Sequence, residues 1–258
     1  MQEEYEKIYE KLYLKHWWWR AREKFIIDIV SQYKPKVRDN LILDIGCGNG
    51  LIFDSMKPFG KIEGIEASQN VVNESGRNRG KIKIGKAKEL LLEPKRFDII
   101  LLLDVIEHVQ DDCDLIDTAK KLLSQEGKIF ITVPAHQFLW TKHDDVNLHL
   151  RRYNKRTLTS KLSQLNLSIL HIEFKFVLVA YIKLLLAIIY KISPKKSQLE
   201  SLPIIPNEFI SNFLEKLTYF ENRLPSFMRF FGSSIFCIAE IDIVGMEIAE
   251  KNTIKTNS

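Results

Sequence analysis

The sequence is poor in cysteine, and the three cysteines it has are scattered. Cys47, Cys113 and Cys237 each lie in an apolar or glycine-rich stretch. An odd number of distant thiols argues against a disulfide framework and against a metal knuckle. We therefore expect buried thiols in a reducing cytoplasm. The charged, helix-forming first residues also lack the apolar core of a secretory signal peptide, so none is expected.

The sequence also lacks a dense basic run and an apolar run long enough to span a membrane. Its 38 Lys and Arg are interspersed with 33 Asp and Glu, which leaves a formal charge of +5 without a basic nucleic-acid-binding arm. The apolar stretch 176–189 is shorter than the roughly twenty residues of a spanning helix, and Lys183 lies in its middle. We predict neither a nucleic-acid partner nor a membrane span.

Three glycines are concentrated in one loop. One stretch reads Leu-Ile-Leu-Asp-Ile-Gly-Cys-Gly-Asn-Gly, an apolar run that predicts a buried strand, followed by Gly46, Gly48 and Gly50. Glycine lets the chain turn sharply and bring backbone amides against a ligand. Asp44, near the end of the strand, is then expected to face that ligand. A dinucleotide loop of the Gly-x-Gly-x-x-Gly type would need its third glycine at Leu51.

The second predicted strand ends in Glu66, 22 residues after Asp44. An acidic side chain at this place can accept hydrogen bonds from both hydroxyls of an adenosine ribose. Together with the glycine loop, it resembles the nucleoside-binding half of class I S-adenosylmethionine-dependent methyltransferases. The alternatives for such a loop are a nicotinamide or flavin binder and a decayed site.

The alternation of strands and helices predicts an α/β fold with a parallel sheet wound by right-handed crossovers. The length of 258 residues, 45% of them apolar, suits one core with an insertion. The resemblance implies a seven-stranded, mostly parallel, Rossmann-like methyltransferase sheet whose last strand lies antiparallel between the fifth and the sixth. The strands are predicted at 41–45, 61–65, 81–84, 97–103, 128–133, 168–174 and 234–241.

Helices are predicted at 49–57, 68–77, 111–124 and 155–165. Ser68 and Asp111 are expected as N-caps and Gly127 as a helix stop. We divide the chain into an N-terminal helical lid, an S-adenosylmethionine-binding core, a helical cap and a last strand with a tail, at 1–38, 39–175, 176–232 and 233–258.

The resemblance implies S-adenosylmethionine as the cofactor. Arg22, in Arg-x-x-Phe-Ile, matches an arginine that reaches the cofactor carboxylate in quinone-type enzymes, with a solvated helix arginine as the equal alternative. Leu103 matches a position whose backbone meets the methionine amino group. Many relatives bind the adenine amine with an acidic residue after the third strand, whereas here backbone groups near Ala87 are expected to do so. The expected cofactor residues are Arg22, Asp44, Gly46, Gly48, Gly50, Glu66, Ala87, Leu103 and Asp104.

The fourth strand leads into Leu-Asp-Val-Ile-Glu-His-Val at 103–109. This resembles the post-strand motif of small-molecule O-methyltransferases, including those of ubiquinone biosynthesis. His108 could take the proton from an attacking hydroxyl, or it could be a structural histidine at the pocket floor. Asp104, Glu107 and His108 also resemble positions at which some quinone enzymes are thought to bind a divalent ion. Adjacent Glu107 and His108 would have to converge on one ion, and we expect no metal.

The loop after the fifth strand is dense in His, Asp, Arg and aromatic residues, which loops rarely spend on solvation alone. It resembles a signature of bacterial methyltransferases associated with envelope glycan and lipid modification. His143 and His149 compete here with His108 as general base. An internal network that only fixes the loop is the equal alternative, and the histidine spacings fit no common zinc site. The expected substrate residues, with the arginines suited to phosphate or carboxylate, are Trp140, Asp144, Arg151, Arg152 and Tyr153.

Trp17, Trp18 and Trp19 cover most of a helix circumference, so at least one faces outward unless something covers it. The resemblance places this helix as a lid over the cofactor, with Trp17 or Trp18 excluding water. A helix simply packed on the sheet is the alternative.

The insertion has two compatible interpretations. An apolar helix surrounded by lysines suits shallow insertion into an anionic cytoplasmic leaflet. It also suits a helical cap over the acceptor cleft, formed with 209–217 and 227–231, which would recruit a lipid-linked acceptor. The lysines concerned are Lys175, Lys183, Lys191, Lys195 and Lys196.

These features predict a cytoplasmic S-adenosylmethionine-dependent methyltransferase, with peripheral contact at an anionic membrane face as an option. Its acceptor is expected to be an oxygen of a small or lipid-linked molecule in envelope or glycan metabolism. The alternatives are a quinone or polyketide-type O- or C-methyltransferase and a non-catalytic cofactor-binding protein on the membrane surface.

Overall fold

The computed structural model describes residues 3–37, 39–192, 205–221 and 230–243. Seven strands form one sheet, and all seven overlap their predicted positions, which are thereby confirmed. The strands are β1 Asn40–Ile45, β2 Gly60–Glu66, β3 Ile82–Ile84, β4 Phe97–Leu103, β5 Leu123–Pro134, β6 Leu167–Lys175 and β7 Ser234–Ile241.

The strand order is β3-β2-β1-β4-β5-β7-β6. The first five strands pair in parallel, whereas β7 runs antiparallel to both β5 and β6. This confirms the predicted insertion of the last strand between the fifth and the sixth. The central strands are buried on both faces, as in Ile99, Ile100, Leu101 and Leu102, which are 0% exposed. Parallel strands end at one edge of a sheet, and ligands of such sheets bind there.

Eight helices flank this sheet in the described part of the chain. The predictions at 111–124 and 155–165 are confirmed, and the carboxylate of the N-cap Asp111 accepts a hydrogen bond from Asp114 N at 2.9 Å. The helices are α1 Glu3–Lys15, α2 Trp17–Tyr33, α3 Phe53–Met56, α4 Asp112–Leu122, α5 Lys142–Val146, α6 Lys155–Gln164, α7 Val177–Ile192 and α8 Glu208–Phe220.

The predicted helix at 49–57 is wrong beyond the four residues of α3 and a 3₁₀ turn at Lys57–Phe59. Gly48 and Gly50 have φ angles of 51° and 63°, a left-handed conformation that a right-handed helix cannot include. Pro58 then lacks the backbone N–H that would continue α3.

The predicted helix at 68–77 and the predicted stop at Gly127 are also wrong. Only one 3₁₀ turn forms, at Gln69–Val71, and the Ser68 side chain does not cap it. The Asn73 side chain accepts a hydrogen bond from Ser75 N at 3.0 Å, which favours a turn over a helix. Gly127 lies inside β5, because α4 ends at Leu122 and the strand follows at once.

The helix α2 connects the sheet to α8. Its buried face packs on the sheet through residues such as Phe25, which contacts Phe236 of β7 with ring centroids 6.3 Å apart. Its other face is bonded to α8: Arg20 and Lys24 both form ion pairs with Glu215.

In the described ranges, no helix has the length and apolar character needed to cross a membrane. Two of the lysines expected near a membrane also point elsewhere. Lys175 is 6% exposed and lies 2.7 Å from Glu173, and Lys183 faces a cavity. The side chain of Lys191, residues Lys195 and Lys196, and the predicted cap segment 227–231 except its last two residues lie outside the described residues.

Candidate active site

A cavity of about 1120 Å³ opens at the edge of the sheet where β1, β2 and β4 end. The loops after these strands form its floor, and α1, α2 and α7 form its walls. Pockets for one drug-sized ligand measure roughly 300–1,000 Å³, so this cavity is slightly larger than the upper end of that range. We call the part around the loop after β1 the glycine end, and the part around α5, His108 and His149 the histidine end.

The glycine end is built on the turn after β1. Gly46 and Gly48 have φ angles of 73° and 51°, and Gly46 N donates to Ile65 O at 2.8 Å. A Cβ on Gly46 would lie 2.8 Å from the side chain of Val105, whereas a Cβ on Gly48 would meet no atom within 4 Å. The backbone at Gly48 therefore borders open cavity. Gly50 packs against Phe53 and is absent from the cavity wall.

Two carboxyl groups stand beside this turn. Glu66, at the end of β2, accepts hydrogen bonds from Gly48 N and Ser68 N, both at 3.0 Å. Its orientation is thereby fixed, and its oxygens keep lone pairs for the hydroxyls of a ligand. Asp44 is 4% exposed, and burial raises its pKa to about 8 although the charge of Arg22 opposes the shift. A strongly perturbed carboxyl group on a cavity wall is typical of a functional site.

Arg22 and Asp104 form an ion pair where β4 ends. The Arg22 Nη2 atom lies 2.7 Å from Asp104 Oδ2 and donates to Thr132 Oγ1 at 3.0 Å. Arg22 is 6% exposed and lines the cavity, so the alternative of a solvated helix arginine is wrong. Leu103 and Ala87, two further expected cofactor positions, also lie on the wall.

The three tryptophans of α2 divide between core and cavity. Trp19 is 5% exposed and packs with Leu12, Tyr13 and Val146. Trp17 and Trp18 are half-buried and line the cavity. The helix therefore packs on the protein and also forms a wall of the cavity.

The three candidate histidines all lie at the histidine end. Burial lowers the pKa of His108 to about 4 and that of His143 to about 3, with the neighbouring His149 and Lys183 adding to the respective shifts. Both imidazoles are therefore neutral and weakly basic at pH 7. His149 has a carboxylate partner, because its Nδ1 atom lies 2.8 Å from Asp144 Oδ1.

Asp144 is fully buried and receives several donors. Arg152 donates from Nε to Oδ1 at 2.8 Å and from Nη2 to Oδ2 at 2.9 Å, and Thr141 N donates at 2.8 Å. Although burial raises it, the pKa of Asp144 is held well below its ordinary value by the hydrogen bond from His149 and the charge of Arg152. An ionised Asp144 favours the His149 tautomer with its proton on Nδ1. Its Nε2 atom is then the proton acceptor.

The structure places the expected substrate side chains behind the cavity wall. Arg151 donates to Gln110 O at 2.8 Å, Tyr153 donates to Asp112 at 2.7 Å, and Trp140 is bonded to a neighbouring aspartate. These positions fit the alternative of an internal network and do not support acceptor binding. The residues absent from the wall are Trp140, Asp144, Arg151, Arg152 and Tyr153.

Glu107 adds a buried carboxyl group to the histidine end. It is 0% exposed, and neither side-chain oxygen has a hydrogen-bond partner among the described residues. Burial raises its pKa well above the ordinary value, and the charge of Asp104 adds to this. One ligand atom each of Glu107, His108 and His149 lie within 4.8 Å of one another. Glu107 and His108 therefore converge, which the sequence interpretation did not expect. Their third neighbour is His149, whereas Asp104 is not part of this group.

Tyr9, Tyr13 and Lys183 line the cavity and were not predicted as site residues. The spacing of four residues between the tyrosines places both on one face of α1, and this was an available signal. The position of Lys183 in an apolar stretch indicated membrane contact instead.

Comparison with known proteins agrees with this geometry. The family model of the methyltransferase domain matches residues 18–172. The chain is 35% identical over 117 residues to a ubiquinone biosynthesis O-methyltransferase of Pelagibacter ubique (strain HTCC1062), covering 43% of this chain and 49% of the relative. A protein of the same name from Bartonella tribocorum (strain CIP 105476 / IBS 506) is 37% identical over 101 residues, covering 36% and 41%. The chain thus spans about half the length of the curated relatives it matches.

Solved structures share the fold. A SAM dependent methyltransferase from Archaeoglobus fulgidus has a TM-score of 0.51 at 17% identity, covering 84% of this chain and 93% of that chain. Phosphoethanolamine N-methyltransferase 2 of Haemonchus contortus, in complex with S-adenosyl-L-methionine, has a TM-score of 0.52 at 19% identity, covering 83% and 51%. Because the family match extends over more than half of the chain, and the sheet order and cavity agree with it, the chain belongs to the methyltransferase domain family, as a class I S-adenosylmethionine-dependent methyltransferase.

Proposed function

We propose that the cavity binds S-adenosylmethionine at the glycine end and a methyl acceptor at the histidine end. The open backbone at Gly48, the fixed carboxylate of Glu66 and the buried Asp44 fit an adenosine with a methionine tail. When bound, the cofactor supplies a sulfonium methyl group: the acceptor oxygen takes the methyl, the carbon–sulfur bond breaks, and S-adenosylhomocysteine and a proton remain. The chain has to align the acceptor and receive that proton.

We propose His149 as the general base. The observation that carries this assignment is the bond of 2.8 Å between His149 Nδ1 and the ionised Asp144, at a histidine that lines the cavity. Arg152 in turn holds Asp144, so the imidazole is oriented by two successive contacts. His108 and His143 are the weaker candidates, because burial disfavours the protonated form that a base must adopt.

The test replaces His108, His143 and His149 singly by alanine. We expect His149→Ala to lower the transfer rate by about 10²–10⁴-fold, and the other two variants to lose less. Transfer is measured with S-[methyl-³H]adenosylmethionine in cell extract, and binding of S-adenosylhomocysteine is measured by calorimetry. An unchanged rate in His149→Ala would move the base elsewhere. If the well-folded protein takes up neither cofactor form, the proposed function is wrong as a whole.

For the acceptor we propose an oxygen of a small or lipid-linked envelope or glycan molecule. Apolar and aromatic groups such as Trp17, Trp18 and Val179 line the same cavity as the histidines, which suits an acceptor with an apolar part. A second candidate is a quinone-type acceptor, favoured by the name of the curated relatives. Label in a lipid or glycan fraction supports the first, and label in the quinone fraction supports the second.

Two further proposals concern the membrane surface. A non-catalytic cofactor-binding role predicts tight binding without transfer into any fraction and no effect of the three histidine variants. Peripheral contact with an anionic membrane predicts flotation with anionic liposomes that weakens when Lys191, Lys195 and Lys196 are neutralised. Unchanged flotation would discard the electrostatic part of that contact.

A further inference from the structure

The helix α7 buries Val179, Ala180 and Ala187, but it also exposes apolar side chains and places its central lysine on the cavity side. Surface helices usually place apolar residues inward and charged residues outward. On α7, Tyr181, Leu185 and Ile188 are 55%, 61% and 47% exposed, whereas Lys183 turns toward the cavity beside Leu186. The lysine in the middle of the helix therefore avoids the side on which solvent is available.

The Lys183 ammonium has no hydrogen bond or ion pair with any other described residue. The nearest anions are already committed, because Asp104 pairs with Arg22 at 2.7 Å and Asp144 pairs with Arg152 at 2.8 Å. Burial lowers the pKa of Lys183 to about 8, and the charge of Arg152 adds to the shift while Asp144 and Asp104 oppose it. The histidine end thus contains a half-buried cation whose nearest carboxylates are each paired with an arginine instead.

We propose that Lys183 binds an anionic group of the acceptor, a carboxylate or a phosphate, and that an apolar part of the acceptor lies along Leu186 and Ile189. This inference rests on the proposed function and adds a substrate class to it, an anionic amphiphile. A buried cation is costly unless a partner compensates its charge, and a ligand anion would do so. Six residues of helix separate Lys183 from Ile189, about 9 Å at 1.5 Å per residue, which suits a hydrocarbon chain of moderate length.

The test uses the full chain saturated with S-adenosylhomocysteine, and decyl phosphate, decanol and inorganic phosphate as probes. Binding is followed by the intrinsic tryptophan fluorescence of the chain, to which Trp17 and Trp18 on the cavity wall contribute. We expect decyl phosphate to bind at least tenfold more tightly than either other probe. Lys183→Met should abolish this preference, and Lys183→Arg should keep most of it. Lys142→Met, at another lysine of the cavity wall, is the matched control and should keep it too.

Equal binding of decyl phosphate and decanol by the native chain would overturn the inference, as would a preference that is lost in Lys142→Met and kept in Lys183→Met. A loss of S-adenosylhomocysteine affinity in Lys183→Met would also overturn it, because Lys183 would then contact the cofactor. If Lys183→Met does not fold, Lys183→Gln takes its place. Lys183-dependent displacement of decyl phosphate by anionic phospholipid vesicles supports the inference with a lipid acceptor, and displacement by decanoate alone supports it with a soluble one. Absent S-adenosylhomocysteine binding contradicts the proposed function, whereas binding without probe preference contradicts only this inference.

Discussion

The glycine end and the histidine end of the cavity are built by different means. At the glycine end, backbone amides and one carboxylate meet within loops that directly follow their strands, as when Glu66 accepts from Gly48 N and Ser68 N. At the histidine end, Glu107 and His108 of the loop after β4 meet His149 of the loop after β5, and the latter loop is held by the buried ion pair of Asp144 with Arg152.

This difference teaches where each end is vulnerable. A site made of backbone geometry is disturbed mainly by changes that alter a turn or its direct ligand contact. A site that depends on a buried ion pair is disturbed most by removing one partner, because the other charge is then left without compensation. The three predictions below test this contrast, beginning with the largest expected effect.

Arg152→Met should destabilise the fold by about 3–5 kcal/mol, because it removes the positive charge that pairs with the buried Asp144 carboxylate. Asp144 Oδ1 then keeps His149 as its side-chain partner. The folded-state pKa of Asp144 is depressed, so its stabilising contribution is present above the unfolded pKa of about 4 and is lost as the pH falls toward the folded pKa. The difference in unfolding free energy between the native chain and Arg152→Met should therefore become smaller as the pH is lowered. Urea unfolding at pH 7 and pH 3 measures both effects.

Arg151→Met is the control for this change. The Arg151 side chain is 28% exposed and lies 3.2 Å from Asp112, so its removal should cost at most about 1 kcal/mol. A loss of similar size in both variants would contradict the idea that the histidine end depends on one buried pair.

Glu66→Ala should weaken S-adenosylhomocysteine binding by about 100-fold while leaving most of the fold stability intact. The expected loss corresponds to one or two charge-assisted hydrogen bonds to the ribose. Glu63→Ala on the same strand, whose carboxylate pairs with Lys95, should leave the affinity unchanged. Calorimetry measures both affinities, and equal losses in the two variants would argue against a ribose contact.

Asp44→Asn should stabilise the apo protein by at least about 2 kcal/mol at pH 8 and above, and should weaken cofactor binding. The folded-state pKa of Asp44 is raised to about 8, so the stability of the native chain is highest below the unfolded pKa of about 4 and falls as the pH rises through 8. The stability of Asp44→Asn relative to the native chain should therefore increase as the pH rises toward 8, and thermal unfolding at pH 5 to 9 measures this increase. An advantage independent of pH would show that Asp44 is not the titrating group.

The parts of the site that the sequence could predict are those set by local rules. The strands follow from short apolar runs, and Gly46, Gly48 and Glu66 follow from their places at strand ends. The predictions of helices at 49–57 and 68–77 were wrong for local reasons as well, because left-handed glycines and an asparagine turn interrupt these segments.

The histidine end could be predicted only as a set of residue types. The loop after β5 contains Asp144, His149 and Arg152, but the sequence does not show that Arg152 turns inward to Asp144 while His149 faces the cavity. That choice depends on the surrounding burial. The orientation of Lys183 likewise depends on how α7 packs, which its apolar composition alone does not specify.

The helix α2 combines three roles: it lines the cavity, contacts the end of β4 and contacts α8. Trp17 and Trp18 line the cavity, and two arginines of the same helix form ion pairs. Arg22 pairs with Asp104 after β4, and Arg20 pairs with Glu215 of α8. Moving α2 away from the sheet would therefore break the ion pair between Arg22 and Asp104. It would also move α8 or break the ion pairs of Arg20 and Lys24 with Glu215. Any widening of the cavity on this side is therefore coupled to the contacts between α2 and α8.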